Sequence, residues 1–360
     1  MKIAVLGSGN GGSAVAFDCA ASGHEVSLFD FDPFPENIYA IHTAGGISSE
    51  GDLSGFQTVS YAGHDIGTAL QGADVIYAVG PAYSTRPFAE ACKPHLKKGQ
   101  IVIVCPSSCG GALEFKMGAG LEMGEEDILV AETSTLPYAV RVIAPGKLHV
   151  FLKLKGGSYL AALPAAHTDF ILNKISDVYP TMEAAANVLQ TSLQNGNPII
   201  HPAVTLLNTA LIERTQGDFL FYEEGVTNSV GRMIKAVDEE RVAIGEKLGI
   251  TILPDPDLGC LQGYMTEATY DAGYISAPGF RGIGAQKSLN HRYLNEDVGY
   301  GLVFMKQLGA QLGVDTPVMT ALIAIASVVM NRDYLREAPR TPESLGLAGF
   351  SADELTNLLS

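Results

Sequence analysis

Positive charge is scarce in this sequence. Its 360 residues carry 23 Lys and Arg against 39 Asp and Glu, a formal net charge of −16 with pI ≈ 4.8. Phosphate backbones and anionic membrane surfaces are repelled by such a chain, which argues against nucleic acid or a membrane as a partner. Cysteine is sparse too. Cys19, Cys92, Cys105, Cys109 and Cys260 are odd in number and widely spaced, with no Cys-x-x-Cys pair and no histidine pattern suited to zinc, so no metal is expected. A reducing cytoplasm fits that usage. Cys105 and Cys109 flank Pro106-Ser107-Ser108, yet no basic neighbour is there to activate a thiol, and both read as buried. Long apolar runs are missing. The longest uncharged stretch near the C-terminus, Thr316 to Asn331, has 16 residues, short of the roughly 20 that span a bilayer, and reads as a buried helix or a dimer interface. The apolar start Ile3-Ala4-Val5-Leu6 is cut at once by glycines, so no export signal is expected.

Glycine, by contrast, is abundant: 40 of 360 residues, above the usual ~7%, in a chain otherwise of ordinary globular composition. At about 150 residues per domain the length favours two domains. Up to about residue 165, short apolar runs recur between helical stretches: Ile3–Leu6, Glu25–Phe29, Asp74–Val79, Ile101–Cys105 and Ile128–Ala131. Runs apolar on both faces at that spacing predict βαβ units and a doubly wound parallel sheet. Ala139–Ile143, His149–Leu154 and Leu160–Leu163 lack long helices between them and predict an added β-meander. Beyond about 185 helical periodicity takes over, as in Gly225–Leu248, where Val226, Val230, Ile234, Val237, Val242 and Ile244 fall near helical spacing. The expected division is an α/β domain over 1–184 and an all-α domain over 185–360.

Gly7-Ser8-Gly9-Asn10-Gly11-Gly12 follows the first strand and opens the first helix, which makes G-x-G-x-x-G a strong signal for a dinucleotide. Gly7 permits the tight turn, Gly9 the approach of a pyrophosphate and Gly12 close helix packing, while the helix N-terminus offers free N–H groups; Asn10 is a further donor candidate, and Ser8 lies in the same loop. Asp30, at the end of the second strand, is placed to accept the ribose hydroxyls. Neither Lys nor Arg occurs between Asp30 and Ile41, so NAD(H) is expected in preference to NADP(H).

A second group of polar residues lies in the helical half. In Asn197-Pro198-Ile199-Ile200-His201-Pro202, Pro202 suits a first helical position and puts His201 at a helix start; Asn208, two turns on, is either a ligand contact or an interhelical hydrogen bond. In Arg292-Tyr293-Leu294-Asn295-Glu296-Asp297, Asn295 is expected to cap the following helix, with Asp297 in its first turn and Arg292 in the preceding loop. An ionised Asp297 beside His201 would fix the imidazole tautomer and favour its protonated form, giving an acid/base group. The planar fork of Arg292 suits a carboxylate, and an Arg292–Asp297 ion pair is the structural alternative.

The sequence resembles the octopine/nopaline (opine) dehydrogenase family along nearly its whole length. The resemblance is carried by Gly7 to Gly12, Gly110-Gly111-Ala112-Leu113-Glu114-Phe115, Ala131-Glu132-Thr133-Ser134-Thr135-Leu136-Pro137-Tyr138, Asn197 to Pro202, Phe221-Tyr222-Glu223-Glu224-Gly225, Asp238 to Arg241 and Arg292 to Asp297. It implies a Rossmann domain followed by an all-helical domain, with substrate held in the cleft between them. It also implies His201 and Asp297 as the acid/base pair, Arg292 on a substrate carboxylate, and NAD-dependent chemistry on the C–N bond of opines. Which amino acid and which 2-keto acid are the partners is left unspecified; the alternatives are a 2-hydroxyacid or ketopantoate-type reductase on the same plan and a non-catalytic NAD-binding sensor.

Overall fold

The computed structural model describes residues 1–360, which form two compact units: 1–107 with 111–191 and residue 360, and 108–110 with 192–359. The first unit contains twelve strands: β1 (Lys2–Leu6), β2 (Glu25–Phe29), β3 (Gly46–Gly51), β4 (Gly55–Thr58), β5 (Tyr61–Gly63), β6 (Val75–Ala78), β7 (Ile101–Val104), β8 (Leu129–Thr133), β9 (Tyr138–Ala144), β10 (Lys147–Lys153), β11 (Ser158–Leu163) and β12 (Met182–Ala184). Its helices are α1 (Asn10–Ala21), α2 (Pro35–Ala44), α3 (Ile66–Ala69), α4 (Thr85–Cys92), α5 (Gly111–Ala119) and α6 (Thr168–Ile175), with α7 (Val188–Leu193) at its end. Eight strands make one sheet in the order β12-β11-β8-β7-β6-β1-β2-β5. From β8 to β5 every pairing is parallel, and β6 and β7 are buried along their whole length, as strands covered on both faces must be.

The expected meander is divided in two. β9 and β10 form a hairpin that joins β3 and β4 in a separate four-stranded sheet, whereas β11 returns to the main sheet, antiparallel to β8. The reason lies in β3, whose sequence Gly46-Ile47-Ser48-Ser49-Glu50-Gly51 has one large apolar side chain and therefore no visible strand period.

The second unit holds α8 (Asn197–Leu207), α9 (Thr209–Thr215), α10 (Asn228–Lys247), α11 (Asp255–Gln262), α12 (Ala272–Ile275), α13 (Arg292–Asn295), α14 (Val303–Leu312), α15 (Pro317–Met330), α16 (Tyr334–Glu337) and α17 (Ala352–Leu359). A lone bridge between Leu220 and Gly284 is its only β-pairing. α10 buries Val230, Ile234, Val237 and Ile244, and on the same side Arg241, fully enclosed. A buried guanidinium is tolerated only when its donors are satisfied. Arg241 Nε donates to Asp238 at 2.7 Å, and its two terminal nitrogens donate to the carbonyls of Leu193 and Leu253.

α15 is half-buried rather than buried. Met319, Leu322, Ile323 and Ala326 face inward, while Val328 is 82% and Ile325 48% exposed. A helix apolar all round gives no hint from its sequence of which side meets the core. No helix is long and apolar enough to cross a membrane. All five cysteines are free, and four are buried; burial pushes the Cys92 and Cys105 thiols up to about 12, which makes them inert at neutral pH.

Candidate active site

In the first unit the glycine loop is shaped by contact. Gly7 has φ +102°, and a Cβ there would meet Val79 O at 2.1 Å; one on Gly12 would meet Gly7 O at 1.8 Å. Gly9 differs, because a Cβ on it would meet no protein atom within 4 Å. It is also the N-cap residue just before α1, with no side-chain cap and no acid in the first turn, so the first-turn N–H groups and the positive end of the helix remain for an anion. These features fit a pyrophosphate.

Asp30 is buried and accepts from Ser8 N and Ser8 Oγ, both at 2.7 Å, and from Phe31 N at 2.9 Å. It therefore anchors the loop, with part of its four-site acceptor capacity remaining. Beside the end of β2, His64 Nδ1 lies 2.8 Å from Asp30 O and 3.8 Å from Asp32, and neither carboxylate is paired with a Lys or Arg. Asn10 Oδ1 accepts from Val142 N, tying the loop to β9. Asn37, absent from the sequence-based candidates, donates to Ser8 O and to Ser13 Oγ and accepts from Gly146 N. Glu132, fully buried, accepts from Ala112 N in the first turn of α5 and from Thr191 Oγ1 at 2.5 Å, which is an anchoring role.

In the second unit His201 and Asp297 meet. His201 Nδ1 lies 2.7 Å from Asp297 Oδ2, and both residues are buried. Their elements differ in detail from expectation. α8 begins at Asn197, with Pro198 in the tolerated first turn, so His201 stands inside the helix and Pro202 after it. Asn295 closes the short α13 rather than capping a helix; its side-chain Oδ1 accepts from Arg332 and Tyr334, and α13 itself is capped by His291. Arg292 is accordingly the first residue of α13, not part of a loop. Asp297 opens a π-helical turn, 297–302, that runs into α14. π turns recur at functional positions, where they redirect a side chain. Here Gly301 sits where a Cβ would strike Pro198 Cγ at 2.4 Å, so its absence brings the turn against the start of α8.

The imidazole is held on three sides. Tyr293 stacks on its face at 3.8 Å between centroids and 22°, Asp297 bonds Nδ1, and the Tyr222 hydroxyl lies 3.2 Å from Nε2. Arg292, 44% exposed, pairs with Glu296 at 2.9 Å rather than with Asp297. Burial opposes its charge, but Glu296, Asp297 and Tyr293 outweigh that and hold the guanidinium above its usual range. Glu296 is itself 1% exposed and also accepts from Ser108 Oγ at 3.1 Å. Ser108 and Cys109 have φ +47° and +67°, a strained pair whose carbonyls Arg340 binds at 3.0 Å. Asn208 gives both its N–H groups to backbone carbonyls, that of Val204 in the preceding helix and that of Gly225 in the segment before α10. Tyr222 and Glu296 lie in segments that drew attention by resemblance but had no assigned role.

A Rossmann-type unit with an open phosphate cradle, in one chain with a helical unit carrying a buried His–Asp pair, defines a nucleotide-dependent dehydrogenase. The NAD-dependent glycerol-3-phosphate dehydrogenase N-terminus family matches residues 2–108, and the NAD/NADP octopine/nopaline dehydrogenase, alpha-helical domain, matches 184–330. An opine dehydrogenase of Arthrobacter sp. (strain 1C) is 37% identical over 351 residues, 97% of this chain and 96% of that protein. A structure of octopine dehydrogenase in complex with NADH and agmatine shares the fold with TM-score 0.80 at 18% identity, covering 99% of this chain and 98% of that one. Another, with NADH and pyruvate, gives 0.75 at 19% over 96% and 95%. The chain belongs to the octopine/nopaline (opine) dehydrogenase family. It is an NAD-dependent oxidoreductase acting on the C–N bond of opines.

Proposed function

We propose that the protein joins the amine of an L-amino acid to a 2-keto acid such as pyruvate, giving an N-(carboxyalkyl) amino acid, and catalyses the reverse oxidation. The amine adds to the carbonyl carbon, water leaves to form an imine, and one hydride with one proton completes the secondary amine. The hydride would come from NADH when it is bound. His201 gives a proton to the departing oxygen and exchanges protons with the nitrogen, Asp297 orients the ring and stabilises imidazolium, and Arg292 clamps a carboxylate. Gly7 to Gly12 with Asp30 hold the dinucleotide. The observation that carries this reading is the 2.7 Å contact between His201 and Asp297, 96 positions apart, in a chain of this family.

The test is an NADH-oxidation screen pairing keto acids with the common amino acids. Turnover that requires both substrates, reduced roughly 10²–10⁴-fold by His201→Ala, is expected. Consumption of NADH with a keto acid alone, unchanged by amino acids, would instead mark a hydroxyacid reductase. Free cysteines suit a reducing cytoplasm, and the exposed face of α15 suits a homodimer, which sizing of the same preparation reads directly.

A further inference from the structure

His201 is bonded at both ring nitrogens, Nδ1 to Asp297 and Nε2 to Tyr222. An ionised Asp297 only accepts, so in the neutral ring Nδ1 carries the hydrogen, Nε2 presents its lone pair, and the Tyr222 hydroxyl must be the donor to it. Burial pushes the Tyr222 phenol well above its usual range, and Tyr293, Tyr264, Asp255 and Asp297 add to that, so it stays protonated and able to donate. Its ring has little freedom, stacked on Phe280 at 4.2 Å and 13° and packed edge-on to Phe221 at 5.0 Å. Once Nε2 takes up a proton, the phenol oxygen must become the acceptor. The partner of the hydroxyl is His201 Nε2, and Phe221 and Phe280 pack against its ring, so reversing this bond costs the phenol its donor role and disfavours imidazolium.

We propose that Tyr222 is a positioning residue of the reaction: its hydroxyl holds His201 Nε2 as the proton-accepting nitrogen and offsets the pull of Asp297 toward the charged ring. The groups facing the imidazole are Asp297 on the π turn, Tyr293 on α13, and Tyr222 with Phe221 on the segment before α10; Arg292 acts on the pair through its charge near Asp297. Substrate has to take over Nε2 from the phenol, so the contact also keeps the ring oriented until substrate arrives. The inference rests on the acid–base reading of His201.

The experiment is an NMR titration of the His201 imidazole in the substrate-free full-length enzyme, beside pH profiles of kcat/KM for opine oxidation. Tyr222→Phe keeps the ring and its stack. It should move the His201 midpoint upward by about half to one pH unit, the size of one net hydrogen bond, while Asp297→Asn moves it downward. The acid limb of kcat/KM should follow the midpoint. An unchanged midpoint in folded Tyr222→Phe overturns the proposal. So does a wild-type neutral ring whose nitrogen shifts put the proton on Nε2, a measurement that needs no variant. A moved midpoint with an unmoved pH profile upholds the Tyr222 contact and places the failure in the acid–base role of His201.

Discussion

Glu296 and Asp297 are adjacent, and about 100° of rotation between neighbours on a helical turn sends them to different tasks. Asp297 reaches the imidazole, and Glu296 takes the guanidinium of Arg292 while its other oxygen is tied to Ser108. Glu296→Gln therefore keeps the shape and removes the charge that aims Arg292. If Arg292 clamps a substrate carboxylate, KM for the keto acid should rise roughly tenfold with kcat little changed, since ground-state and transition-state binding suffer alike. Steady-state kinetics with the keto acid varied checks this; a fall in kcat at constant KM would contradict it. Residue types and local motif flagged His201, Asp297 and Arg292, but the partner of Arg292 was not legible. At (i, i+4) and (i, i+5) a carboxylate stands within reach, and only the π turn decides that position 297 is turned away.

Among elements, the strand–loop–helix at residues 2–21 was the clearest, because an apolar run, a glycine motif and a helix follow in the order that a phosphate cradle needs. Its glycines have separable duties. Gly12→Ala drives a methyl to 1.8 Å from Gly7 O and should cost several kcal/mol of stability. Gly9→Ala meets no protein atom, so its melting temperature should stay near that of the parent while KM for NADH rises at least tenfold. Calorimetry and NADH kinetics on the two variants test the pair of claims. An equal loss of stability in both would remove the argument that the space above Gly9 is kept for the cofactor. Less legible were β3, β4, β5 and β12, which are short or polar and draw their order from neighbouring strands.

At the scale of the whole molecule, an excess of 16 negative charges means that the proposed anion binding rests on local devices, the uncapped start of α1 and the guanidinium of Arg292. Burial inside an acidic protein also has a cost that pH can reveal. Asp255 is enclosed beneath the turn leading into α8, where Gly196 leaves room for its carboxylate and Tyr274 donates to it. Burial, then the charge of Asp238, push its carboxyl up to about 6, against the opposing effects of Arg241 and the Tyr274 hydroxyl. A carboxyl that holds its proton more tightly when folded stabilises the fold most below about pH 4 and loses that contribution as pH rises through 6. Relative to wild type, Asp255→Asn should thus gain on the order of 2–3 kcal/mol between pH 4 and pH 7, read by denaturant unfolding at each pH. A constant difference across that range would show that Asp255 does not titrate as its surroundings dictate.

What the amino-acid order determined alone was whatever depends on near neighbours: the cradle, the parallel strands with their uninterrupted apolar runs, and the shift to helices after about 185. It also supplied the chemistry of the active groups, since imidazole, carboxylate and guanidinium are properties of side chains. Pairing was decided by the folded chain. That His201 meets Asp297 and Tyr222 while Arg292 turns to Glu296, that α15 buries one side, and that Arg241 lies enclosed in a helix face all depend on packing between distant segments. Side-chain direction there is set by a π turn, a missing Cβ or the shape of a neighbour, and none of these is written in the spacing of residues along one strand or helix.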